Sequence, residues 1–177
     1  MTAGWSETVP GANPGGGAMA AAGGTWRPEA VVFCGVQAAG KSTYYRERFF
    51  ETHVRINMDM LKTRRRESLL LQACLLGKQP FVVDNTNPLA ADRARYVVPA
   101  RAAGFRVSGY FFRATTREAI ARNKQRTDKA PIPVPGLLGT WKRLEEPRWE
   151  EGFDTLFTVT LTPANLFVVE EVPRSSD

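Results

Sequence analysis

The stretch Ala30-Val31-Val32-Phe33-Cys34-Gly35-Val36-Gln37-Ala38-Ala39-Gly40-Lys41-Ser42-Thr43 constrains this chain more than any other. A short apolar run ends in Gly-x-x-x-x-Gly-Lys-Ser and gives way to a polar, helix-compatible segment. That is the strand–loop–helix grammar of a phosphate-binding P-loop. Gly35 and Gly40 permit backbone angles and a close approach that a Cβ would block. The loop through Val36, Gln37, Ala38 and Ala39 can then curl its N–H groups around a phosphate. The helix that begins near Lys41 and Thr43 aims its positive dipole end at the same place. Lys41 reaches the outer phosphates, and the Ser42 hydroxyl suits Mg²⁺. The motif specifies a nucleoside triphosphate such as ATP. It does not name an acceptor.

A chain of 177 residues, 43% hydrophobic and 24% charged, is most simply one domain with a real core. No apolar run approaches membrane-spanning length, so no membrane partner is expected. Cys34 and Cys74 sit in apolar segments and read as buried free thiols. His53 is the only histidine, which excludes a His-pair metal site and leaves a Ser-His-Asp triad without a supporting motif. Residues 1–25 are rich in Gly, Ala and Pro and are expected to be a disordered tail. They hold no basic residue, which argues against a secretory signal or a transit peptide. An intracellular protein, cytoplasmic or nuclear, is therefore expected. Residues 27–143 hold 22 Lys and Arg against 9 Asp and Glu, a net of +13. Residues 144–177 hold 2 against 8, a net of −6. The basic block suits a polyanion such as nucleic acid, but ATP enzymes also need local positive charge. The acidic segment can cap a sheet edge or meet a protein partner.

Alternating patterns predict strands near Ala30–Cys34, His53–Asn57, Pro80–Asp84, Phe105–Phe112, Phe157–Leu161 and Leu166–Val169. Helices are expected over Lys41–Phe50, Leu61–Leu76, Leu89–Ala103, Thr116–Arg126 and Leu137–Leu144, with an extended Pro-rich loop over Lys129–Gly136. The leucines of the second helix read as core and its Arg64-Arg65-Arg66 start as a solvated face. The order implies an α/β fold with a mostly parallel sheet covered on both faces. Ligands in such sheets sit at the carboxyl ends of the strands. That rim collects the P-loop, Asp59 and Asp84.

Phosphoryl transfer needs phosphates cradled, charge neutralised and an attacking hydroxyl positioned and deprotonated. Asp84 ends an apolar strand and suits the metal side or acceptor orientation. Asp59, just past a strand in Ile56-Asn57-Met58-Asp59, suits the general base; spacing alone leaves open that it caps the next helix instead. Arg122 and Arg126 share a helix face and can offer planar donors to a transferring phosphoryl group, although most such pairs are solvated surface arginines.

Taken together, these residues resemble the polynucleotide 5′-hydroxyl kinases, the P-loop kinase domain of phage and animal end-healing enzymes. The resemblance runs from about Val31 to Trp149. It rests on Gly35–Ser42, on Asn57-x-Asp59, on Asp84-Asn85-Thr86-Asn87-Pro88 followed by Arg93-Ala94-Arg95-Tyr96, and on Arg122-Asn123-x-x-Arg126 with Ile132-Pro133. It implies a P-loop NTPase kinase-type three-layer sandwich over 26–177 with a helical lid near 120–135. It further implies that ATP and Mg²⁺ are used to phosphorylate a 5′-hydroxyl end of DNA or RNA. On that likeness Asp59 takes the hydroxyl proton, Ser42 and Asp84 serve the metal, and Lys41, Arg122 and Arg126 hold the nucleotide and the moving phosphoryl group. Lys62, Asp84, Asn85, Thr86, Asn87, Arg93 and Arg95 would then meet the acceptor. The chain departs from the family at Met58 and Lys62, where arginines are common. No Asp-x-Asp-Gly-Thr phosphatase motif occurs. Two other readings stand beside this one: a kinase of a small hydroxylated metabolite, and a low-turnover nucleotide-binding regulatory module.

Overall fold

The computed structural model describes residues 26–125 and 131–174. The tail expected over 1–25, Arg126 and the centre of the expected lid lie outside the described residues. Six strands form one sheet: β1 (Glu29–Cys34), β2 (Val54–Ile56), β3 (Phe81–Val83), β4 (Arg106–Arg113), β5 (Thr155–Leu161) and β6 (Phe167–Glu171). Their spatial order is β2-β3-β1-β4-β5-β6, parallel throughout except for the antiparallel β5–β6 edge.

The helices are α1 (Lys41–Arg48), α2 (Met58–Leu61), α3 (Arg64–Leu76), α4 (Ala90–Ala102), α5 (Thr116–Lys124) and α6 (Val134–Lys142). All six residues of β1 are buried, because the strand is covered on both faces. Its alternation sorts the core into two layers. Ala30 and Val32 pack with Leu71, Cys74, Val97 and Ala100 of α3 and α4. Val31 and Phe33 pack with Tyr44, Tyr45, Ala119 and Leu137 of α1, α5 and α6. Helix layer, sheet and helix layer are the expected three-layer α/β sandwich.

Three local expectations are corrected. The helix expected over Leu61–Leu76 is two helices, broken at Lys62, whose φ of 66° no α-helix accommodates. Thr63 then starts α3 by accepting a hydrogen bond from the Arg66 backbone N–H. On α3 the inward stripe carries Glu67, Leu71 and Cys74, so Leu69 and Leu76 face solvent instead of the core. Finally, α6 begins at Val134, inside the segment expected to be an extended loop; prolines are tolerated in a helix's first turn.

Candidate active site

The carboxyl ends of β1, β2 and β3 open into a cavity of about 780 Å³. Gly35 leaves β1 with φ of 148°, and a Cβ there would lie 2.8 Å from the Phe112 carbonyl oxygen. Its N–H donates to the Thr86 carbonyl at 3.0 Å, tying the loop to the end of β3. Gly40, in the left-handed region, hands the loop to α1. Lys41 is buried against the loop, its Nζ donating to the carbonyls of Gly35 and Val36 at 2.8 and 2.5 Å. Gln37, Ala38, Gly40, Lys41, Ser42 and Thr43 line the cavity, while Val36 and Ala39 pack into the core beneath it.

Behind α1 the Ser42 hydroxyl donates to Asp84 Oδ2 at 2.8 Å. Arg55 of β2 reaches the same pair, donating from Nε to Asp84 at 2.9 Å and from Nη2 to both Asp84 and the Ser42 hydroxyl. Asp84 is thus buried with its carboxylate paired to a guanidinium. A hydroxyl next to one carboxylate is the donor set that suits Mg²⁺, which keeps much of its water and takes the rest of its shell from phosphates. Among the described residues no group of three His, Cys, Asp or Glu could hold a metal by itself.

Asn57 organises the opposite wall. Its side-chain amide donates to the Asp84 carbonyl, and its Oδ1 accepts from Met60 N at 3.1 Å, starting α2. The cap of this helix is therefore Asn57, and Asp59 is not needed for it. Asp59 stands exposed in the first turn and lines the cavity. Arg64, Arg95 and Tyr96 line the same wall, and Arg122 of α5 lines the cavity from the lid side. Arg122 Nη2 donates to the Leu161 carbonyl at 3.1 Å, and its buried Nη1 has no hydrogen-bond partner among the described residues.

Other assigned residues behave differently. Arg93 is fully buried and does not line the cavity. Its Nε and Nη2 grip Glu151 at 2.6 Å each, and Nη1 donates to the carbonyls of Asn87, Pro88 and Glu145. Burial alone would lower its pKa, but the Glu151 carboxylate outweighs that and raises it. Arg93 is an internal tie, not an acceptor contact. Lys62 ends α2 and stays outside the cavity lining. Asn85, Thr86 and Asn87 do line the cavity, and each also bonds to the frame, Thr86 through its backbone carbonyl. Thr86 receives Gly35, Asn87 donates to the Phe33 carbonyl at 2.8 Å, and Asn85 accepts from Met58 N at 2.9 Å.

Residues missed from the sequence complete the frame. Arg55 stands in a strand too short to show alternation. Buried Glu67 and Tyr96 form a network with the exposed Arg64, its members coming from α3 and α4. Burial and then the Glu67 hydrogen bond push the Tyr96 hydroxyl up to about 12. Cys34 lies beneath the loop with its thiol pushed up to about 11 by burial, and so stays a thiol. Four acidic residues of the C-terminal segment bond to the rest of the fold: Glu145, Glu146, Glu151 and Asp154 meet Ala90 N, Arg113, Arg93 and Val107 N.

Comparison with solved structures agrees with this fold. A gluconokinase from Sinorhizobium meliloti 1021 superposes with TM-score 0.54 at 20% identity, over 76% of this chain and 84% of its own. Kti12 from Chaetomium thermophilum, solved with ADP-AlF3, superposes with TM-score 0.58 at 17% identity, over 77% of this chain and 92% of its own. The AvrRxo1-ORF1:-ORF2 structure with ATP gives 0.60 at 13%, over 81% of this chain and 57% of that one. The chain has the P-loop kinase fold. The AAA domain family matches residues 62–145, from the end of α2 to the segment after α6. No helix among the described residues is long and apolar enough to cross a membrane.

Proposed function

We propose that the protein is an ATP- and Mg²⁺-dependent phosphotransferase that phosphorylates the 5′-hydroxyl end of DNA or RNA. One observation carries the reading: a single cavity has the phosphate loop, Lys41 and Arg122 on one side and Asp59 with Arg64 and Arg95 on the other. Ser42 and Asp84 would hold Mg²⁺, which supplies charge neutralisation to the triphosphate when bound. The acceptor hydroxyl oxygen forms a bond to the γ-phosphorus as the bond from that phosphorus to the β–γ bridging oxygen breaks. ADP leaves with the electron pair, and the hydroxyl proton passes to the Asp59 carboxylate. Lys41 and Arg122 would stabilise charge on the moving phosphoryl group. Arg126 joins them in this reading through the likeness of Arg122-Asn123-x-x-Arg126 alone.

A second reading, a kinase of a small hydroxylated metabolite, is favoured by a specific observation. Arg93 is buried in an ion pair and Lys62 lies off the cavity, so two cations assigned to a polynucleotide acceptor do not face it. The fold similarity to a gluconokinase fits this reading too. The test is transfer from labelled ATP to 5′-hydroxyl oligonucleotides, nucleosides and sugars at several salt concentrations. A polynucleotide acceptor gives label on the oligonucleotide with apparent affinity that falls steeply as salt rises. Label on the sugar or nucleoside alone selects the second reading.

A further inference from the structure

The carboxylate that serves the metal is already paired with a cation of the protein's own. In β2, Val54 and Ile56 pack with the layer of α3 and α4, so Arg55 between them points to the α1 side. There its guanidinium lies 5.4 Å from the centre of the Tyr45 ring, and the Tyr45 hydroxyl donates to the His53 carbonyl at 2.9 Å, which holds that ring in place. From this seat Nε donates to Asp84 Oδ2 at 2.9 Å, and Nη2 donates to the same oxygen and to the Ser42 hydroxyl, the latter at 2.9 Å. The Ser42 hydroxyl also donates to Oδ2, so hydroxyl, carboxylate and guanidinium close a ring. Ser42 and Asp84 line the cavity and Arg55 does not, so the cation meets the pair from the far side. All three contacts of the carboxylate fall on Oδ2, and among the described residues Oδ1 is left for the cavity.

This geometry leaves room for a metal on the cavity side, yet the charge that would draw it is already offset. Arg55 and Asp84 form an ion pair in which the Asp84 side chain is only 2% exposed, so little water screens the guanidinium from whatever approaches the carboxylate. The hold of an oxygen site on a divalent cation rises with the charge of its ligands. We propose that Arg55 is a resident counter-charge that bars Ser42 and Asp84 from taking a divalent cation alone, so that the metal is admitted only together with the triphosphate. The inference rests on the assignment of Ser42 and Asp84 to Mg²⁺ in the reading above and adds an order of binding to it. The triphosphate brings the negative charge that the neutralised pair lacks. Arg55 acts through Ser42 and Asp84 and is a positioning residue.

The experiment titrates nucleotide-free protein with Mn²⁺, read by the EPR signal of the free ion, and needs no acceptor and no turnover. Wild type should leave the signal unchanged until ATP is added. Arg55→Gln, which removes the charge and keeps an amide donor, should bind Mn²⁺ at least about tenfold more tightly, the effect of one unit charge a few ångström from a divalent ion even in a watery surrounding. Arg55→Lys keeps the charge and should exclude the ion as the wild type does. Adding Asp84→Asn to Arg55→Gln should abolish the uptake, which locates the ion. Thermal melting gives a second readout. Arg55→Gln strands a buried carboxylate and should lower Tm, and Mn²⁺ should restore part of that loss while leaving the wild type unmoved. Mn²⁺ bound by nucleotide-free wild type as tightly as by Arg55→Gln would overturn the proposal. So would an Arg55→Gln that neither binds the ion nor is stabilised by it. The expected metal pattern in a protein that phosphorylates no acceptor would overturn the phosphotransferase reading and leave the role of Arg55 standing.

Discussion

Replacing Arg93 by Met tests whether that arginine is an internal tie or an acceptor contact. Its side chain has no exposure and makes a two-pronged ion pair with Glu151. The carbonyls of Asn87, Pro88 and Glu145 also depend on its Nη1. Removing one member of a buried pair strands the other and costs about 3–5 kcal/mol. At roughly 2–4 °C per kcal/mol for a domain of this size, the melting temperature should fall by about 6–20 °C. Adding Glu151→Leu should recover part of the loss, because no charge is then stranded, but not all, because the three carbonyls still lose the donor that Nη1 gave them. Thermal denaturation of the two single variants and the double variant gives the coupling directly. A variant Arg93→Met that melts with the wild type and shows a raised acceptor KM would refute the account and restore the role suggested by family likeness.

Two further predictions concern the frame. Gly35→Ala should destabilise the protein by about 1–3 kcal/mol and weaken ATP binding in calorimetry, because the added Cβ meets backbone of β4 that cannot turn aside. Acid denaturation should depend on Glu29: burial acts to raise its pKa, but the His53 ring 3.5 Å away, the hydrogen bond from Ser108 and the charge of Arg106 outweigh it and leave the pKa below the ordinary 4.5. The folded pKa lies below the unfolded one, so this stabilisation is full above the unfolded value and is lost as pH falls through the folded one. Glu29→Gln should accordingly flatten the acid limb of stability against pH, measured by denaturant titration.

What could be read from the sequence was what short-range pattern encodes. Gly35, Gly40, Lys41 and Ser42 declare a loop by spacing alone, and strands that end in Asp84 or run into Asn57-x-Asp59 place both acids on one rim. Pairing over distance was not legible. Arg93 was assigned to the acceptor by likeness, and nothing local corrected this, because Glu151, its partner, lies 58 residues on, in a short turn with no pattern of its own. Glu67 was hidden behind the Arg64-Arg65-Arg66 run, which read as a solvated helix start, and its partners Asn85 and Tyr96 arrive from two other elements. Arg55 left only a faint trace, a charge inside a three-residue strand. The break at Lys62 did have a signal, the capping residue Thr63 directly after it.

The central claim is that Asp59 takes the proton of an acceptor hydroxyl while the opposite wall holds ATP. Single-turnover transfer by Asp59→Asn, with ATP affinity measured on the same protein, tests it most directly. The variant should lose about 100- to 10,000-fold in the transfer rate and keep its ATP affinity. Transfer at the wild-type rate would contradict it.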